Sequence, residues 1–154
     1  MTVEVQVDPR WAAAVPAEAL AQAARTALRL ARGESGAQPV ALTVQVTDTD
    51  AVRALNRRYR GQDKPTDVLS FPADMADPET GARYLGDVVI AYPVAAAQAR
   101  RGGHPVLEEL RLLTVHGVLH LLGYDDQEPA ARQAMWAVQA RILDALGCPL
   151  RPPL

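Results

Sequence analysis

Val3, Val5 and Val7 alternate with Glu4 and Gln6, the two-residue period of a strand with one face in a core, so the chain is predicted to open on a strand at 3–7. A helix is expected near 17–32, closed by Gly33 and the turn Glu34-Ser35-Gly36. Alternation returns at Leu42, Val44 and Val46, which predicts a second strand over 40–46. Thr47-Asp48-Thr49-Asp50 then supplies capping oxygens for a short helix over 51–59, with Arg53 and Arg57 on one of its faces. Residues 61–66 read as a turn, 68–71 as a strand stopped by Pro72, and 85–91 as a further strand, apolar at Val88, Val89 and Ile90. The polar stretch 73–83, with Pro78 and Gly81, is expected to be the loop between them. Helices over 93–101, 106–122 and 129–146 complete the pattern, and the proline-rich tail beyond Gly147 is expected to fray.

About four short strands and about five helices fit a mixed α/β (α+β) sandwich in one domain over 1–154, with helix 106–122 packed on a central sheet. A chain of 154 residues with 49% hydrophobic and 22% charged positions can build a sizeable core and is not a disordered one. No apolar run is long enough to cross a bilayer, since even the alanine-rich stretch 11–24 is broken by Pro16, Glu18 and Gln22. The opening strand pattern lacks the charged start and apolar block of a leader, so a soluble cytoplasmic protein is expected. The lone Cys148 has no internal disulfide partner and reads as a buried or bystander thiol in a reducing compartment.

The chemistry concentrates in His116-Gly117-Val118-Leu119-His120-Leu121-Leu122-Gly123-Tyr124-Asp125-Asp126, where two imidazoles and a carboxylate fall at i, i+4 and i+10. Residues four apart share a helix face, so His116 and His120 can aim ring nitrogens at one ion. Gly123 can end the helix in the left-handed conformation and turn Asp126 toward the same point. Three protein ligands leave a fourth position open, the catalytic arrangement for a divalent ion, with zinc first among several candidates. The competing structural reading is a buried helix holding hydrogen-bonded histidines, because the rest of 114–122 is apolar, small or threonine. A zinc peptidase with this spacing needs a glutamate immediately after the first histidine, and here that position is Gly117.

A net charge of −2 excludes a polycation that coats nucleic acid indiscriminately, so any RNA contact has to come from a local patch. The candidate is Arg53, Arg57, Arg58, Arg60 and Lys64, five cations within a dozen residues. The same residues also suit a solvated helix face followed by a polar turn.

The run Tyr59-Arg60-Gly61-Gln62-Asp63-Lys64-Pro65-Thr66-Asp67-Val68-Leu69-Ser70-Phe71-Pro72, the strand Leu85-Gly86-Asp87-Val88-Val89-Ile90 and the glycine-histidine segment together resemble the YbeY family of bacterial rRNA-maturation endoribonucleases. The resemblance implies a single-strand-specific, metal-dependent endoribonuclease acting on the 3′ end of small-subunit rRNA and in ribosome quality control. It implies single-stranded RNA and rRNA as substrate, the ribosome or small-subunit proteins as partners, and no DNA or membrane. His116, His120 and Asp126 would be the metal ligands, with His116 and Arg60 in the catalytic machinery. Arg60 matches the arginine of the family's Tyr-Arg-Gly motif, whose planar guanidinium can grip a phosphate bidentately. Asp67, Ser70 and Asp87 are expected to shape the cleft through hydrogen bonds, whereas Trp11, Trp136, His104 and Tyr124 read first as structural.

The chain departs from the family pattern at Asp126, where a third histidine is usual. A carboxylate can take that place at zinc, but its charge weakens the ion as a Lewis acid and shifts preference toward harder metals. Asp125 could compete as the ligand. Two alternatives stand beside RNA cleavage: a zinc metallopeptidase-like hydrolase, and a non-catalytic ribosome-associated metal-binding protein.

Overall fold

The structure, a computed structural model, describes residues 1–32, 38–63 and 66–151; the expected turn at 33–36 and Lys64 lie outside them. In chain order the elements are β1 (Thr2–Val7), α1 (Ala17–Arg32), β2 (Val40–Thr47), α2 (Thr49–Arg60), β3 (Val68–Ala76), β4 (Arg83–Ala91), α3 (Tyr92–Gly102), α4 (Val106–Leu121) and α5 (Pro129–Ala145). One four-stranded sheet runs in the order β1-β2-β4-β3, with β1, β2 and β4 parallel and β3 antiparallel on the edge. This is the expected mixed α/β fold of four strands and five helices among the described residues.

Alternation in β2 sorts the two faces. Val40, Leu42, Val44 and Val46 are buried and join Val88 and Ile90 of β4 in a core with Leu20, Ala24 and Leu28 of α1 and with Leu110, Val118 and Leu119 of α4. On the opposite face Val52 of α2 packs a smaller cluster with Leu69, Val89 and Ala91. α2 starts at Asp48, whose Oδ1 accepts from the Ala51 amide at 2.7 Å, and the Arg10 guanidinium on that carboxylate holds its pKa low. No helix among the described residues is long and apolar enough to cross a membrane.

α4 lies at the centre, touching α1, α3, α5, β3 and β4. Its apolar sequence suits burial on most sides, and Thr114 satisfies its hydroxyl on the Leu110 carbonyl at 2.8 Å. The helix comes close to the sheet at Gly117, where an added Cβ would lie 2.4 Å from Val88 Cγ1 and 3.0 Å from Val88 Cγ2. Val88 is fully buried and cannot swing aside into solvent. Gly117→Ala therefore sets an overpacking cost of about 1–3 kcal/mol against a helix-propensity gain of about 1 kcal/mol, and overpacking wins. The expected result is a thermal midpoint lowered by a few degrees; a midpoint equal to the parent's or higher in a melting scan would refute the tight contact.

Three expectations are corrected. Pro72 does not stop its strand: β3 runs on to Ala76, with Pro72 opposite Gly86 and a register shift between Pro72 and Met75. On an edge strand the missing proline N–H breaks no bond to a neighbour. The loop accordingly shrinks to a tight turn in which the Asp77 amide donates to the Ala82 carbonyl at 2.8 Å. The tail does not fray at once either, because Cys148 is buried, its amide donates to the Leu143 carbonyl, and Leu150 packs on the main core.

Candidate metal centre

α4 presents His116 and His120 on one face, one turn apart, with ring centroids 4.6 Å apart. The helix then ends: Gly123 takes φ +97°, its amide donates to the His120 carbonyl and the Tyr124 amide reaches back to the Leu119 carbonyl, both at 3.0 Å. This reversal carries Asp126 to the histidines. Its Oδ2 lies 3.8 Å from each Nε2, and the two Nε2 atoms are 3.1 Å apart.

Hydrogen bonds on the far side of each ring decide what these atoms are. His116 Nδ1 donates to Gln139 Oε1 and His120 Nδ1 donates to the Tyr124 carbonyl, each at 3.0 Å. In neutral rings both protons then sit on Nδ1, and both Nε2 lone pairs point at each other across 3.1 Å. Two lone pairs and a carboxylate at that separation repel unless positive charge lies among them. Burial, and next the neighbouring His116, hold the His120 pKa below the usual imidazole range, opposed by Asp126. The neutral form is the one that ligates a metal.

The donor set fits a divalent ion. Tetrahedral zinc with bonds near 2.0–2.1 Å needs donor atoms roughly 3.3 Å apart, close to the separations of 3.1 and 3.8 Å found here. His116, His120 and Asp126 are the group of three among the described residues that could hold a metal ion. Asp125 lines the same cleft but is not one of the three, and its Oδ1 accepts from the Gln127 amide at 3.0 Å. Gln139, on α5, was not visible as a site residue in the sequence; its one signal is a polar side chain at a core position of the helix, between buried Met135 and Ile142. It orients His116 in the manner of outer-shell partners of metal ligands.

The centre opens on a cleft of about 690 Å³ whose walls include Arg60, Asp67, Ser70 and Pro72. Ser70 donates to the Gly117 carbonyl at 2.9 Å, tying β3 to α4 beside the histidines, and Asp67 accepts from Gln98 Nε2 at 3.4 Å. Asp87 does not join them. It lies opposite Phe71 on the other face of the sheet and is hydrogen-bonded by the Tyr84 hydroxyl, because strand alternation puts it one residue out of phase with Val88. Of the cation cluster, Arg60 lines the cleft, Arg53 is paired with Asp63 at 2.8 Å, Arg57 is exposed and Arg58 lies over the Tyr59 ring. His104 pairs with Glu109 at 2.8 Å and is not one of the three ligands, although the pair shares a pocket with His116. Trp11 stacks on Tyr92, while Trp136 and Tyr124 pack against the main core.

Comparison with known proteins gives a consistent result. Residues 6–147 match the family model described as Endoribonuclease YbeY. The Endoribonuclease YbeY of Halorhodospira halophila is 50% identical over 110 residues, covering 70% of this chain and 71% of that protein. That of Roseiflexus castenholzii is 44% identical over 150 residues, covering 94% of this chain and 92% of that protein. The solution structure of a Thermotoga maritima protein superposes with a TM-score of 0.61 at 25% identity, over 94% of this chain and 88% of the other.

Proposed function

The chain belongs to the endoribonuclease YbeY family, and from that premise we propose that it cuts single-stranded RNA at the His116–His120–Asp126 centre, as one domain over 1–154, with Arg60 engaging the scissile phosphate. The observation that carries this reading is the convergence of two Nε2 lone pairs and the Asp126 carboxylate in a cleft that also holds Arg60. A divalent ion held there, zinc in the first instance, would supply Lewis acidity toward a phosphodiester. His116 and His120 arrive pre-aimed by Gln139 and the Tyr124 carbonyl, so neither ring has to turn to offer its Nε2. The Arg60 guanidinium offers paired charge-assisted bonds to the non-bridging oxygens and holds the phosphate in the cleft.

Rival readings lack this support. The relatives compared above are named as endoribonucleases, and a glutamate at the Gly117 position would collide with Val88 on the sheet. Within the reading we place the substrate in rRNA, at the 3′ end of the small subunit, with the ribosome or small-subunit proteins as partners, ribosome quality control as a further role, and the cytoplasm as the compartment. The test is cleavage of an unstructured RNA by nuclease-free protein with and without chelator. Cutting that stops on chelation and is absent in His116→Ala, with casein left intact, is expected. Metal-dependent casein hydrolysis with RNA untouched would overturn it.

A further inference from the structure

Tyr59 is the one strongly exposed aromatic side chain among the described residues, 59% accessible, at the C-terminal end of α2 next to Arg60. An exposed ring on an otherwise polar helix end calls for a partner. Phe71 of β3 meets it edge to face at 5.5 Å between centroids, and the Arg58 guanidinium lies 5.3 Å from its centroid. The two rings wall a groove of about 490 Å³ on the α2 face of the sheet, floored by Gln45, Asp87 and Val89 and bounded by Pro72. Pro72 also bounds the metal cleft, so the two depressions are neighbours across one residue of the edge strand.

We propose that this groove is a nucleobase subsite, holding a base of the RNA strand that flanks the phosphate bound in the metal cleft; the proposal rests on the endoribonuclease reading above. A ring pair with arginines around it matches what single-stranded RNA offers, a π-face on each base and a charge on each phosphate. Arg57, Arg58 and Arg60 share the last turn of α2 with Tyr59, Arg58 lying over its ring and Arg60 lining the neighbouring metal cleft, so cations for the backbone lie close by. The groove carries the Asp87 carboxylate, which would repel a phosphate and could accept from a base edge. One Asp87 oxygen accepts from the Tyr84 hydroxyl, which leaves the carboxylate's remaining acceptor capacity, with the Gln45 amide, for the N–H groups of a base. A carboxylate accepts well from the adjacent N1–H and N2–H of guanine or from the amino group of cytosine, so these bases are preferred over uracil. A protein partner seated on the same rings is the alternative outcome.

The test uses full-length protein and short single-stranded RNAs carrying one 2-aminopurine, moved along the strand. The parent should quench the fluorophore at one position near the cut, and Tyr59→Ala should abolish that quench and raise KM about tenfold with kcat nearly unchanged. Tyr59→Phe should retain both, since it keeps the stacking face. Because Tyr59 is mostly exposed, its thermal midpoint should match the parent's, which separates lost stacking from lost folding. If the parent binds and cuts RNA but Tyr59→Ala has the same KM and the same quench, the subsite is wrong while the ribonuclease stands. A parent that neither binds nor cuts RNA takes both down.

Discussion

His120→Ala is expected to lose the divalent ion and all RNA cleavage above background, without unfolding the protein. The parent should carry close to one equivalent of metal by elemental analysis and the variant almost none. The effect is electrostatic as much as coordinative. Without a cation, the parent holds two imidazole lone pairs 3.1 Å apart with a carboxylate oxygen 3.8 Å from each. Removing one ring relieves that repulsion, so the metal-free variant should melt no lower than the metal-free parent. A bound ion reverses the order, because a ligand present at about a thousandfold its Kd adds about 4 kcal/mol to the native state alone. Chelator should thus lower the parent's melting temperature and leave that of His120→Ala unmoved. Equal metal occupancy in the two proteins would rule out the three-ligand centre. Asp126→His supplies the complementary result: a neutral third imidazole should keep or strengthen zinc binding.

The site was legible in the sequence wherever chemistry and local geometry coincide. Helical spacing alone puts His116 and His120 together, and Gly123 can be recognised as the residue that permits the reversal to Asp126. What could not be read depends on which elements the fold brings alongside. Gln139 lies 23 residues from His116 and reaches it only because α5 packs against α4. Asp87 carries the same acid chemistry as Asp126 and follows a family-like motif, yet its strand phase sends it to the other face of the sheet. The same holds for the secondary structure. Alternation marked β1 and β2 because each turns one face to the core, whereas the outer half of β3, 73–76, is a mostly exposed edge whose short run has no alternation to mark it. Pro72 misleads for the same reason: a proline is a strand breaker only where a neighbour needs its N–H. The tail after Gly147 is proline-rich, but Cys148 and Leu150 reach the core, a contact with no local periodicity to announce it.

Arg60→Lys should cost about a hundredfold in kcat/KM while leaving metal content and melting temperature at parental values. The substitution keeps the positive charge and the approximate reach, so a loss of this size isolates the planar fork as the working feature. Structure argues that the loss will not come from folding. Arg60 is the last residue of α2, exposed, with Gly61 closing the helix through its own amide to the Arg57 carbonyl, and no part of the core rests on the guanidinium. The remaining cations should behave differently because they sit differently. Arg57→Ala and Arg58→Ala, exposed in the same last helical turn as Arg60, should weaken RNA affinity several-fold, and the deficit should shrink as salt rises, since each removes a backbone-neutralising charge and the counterions it would have released. Arg53→Ala should do least, its charge being already balanced by Asp63 at 2.8 Å. A salt-independent loss confined to Arg60 and salt-dependent losses at Arg57 and Arg58 together constitute the expected pattern. If Arg60→Lys cleaves single-stranded RNA as fast as the parent, or if its deficit merely tracks ionic strength like that of its neighbours, Arg60 contributes general charge and holds no phosphate at the reacting centre.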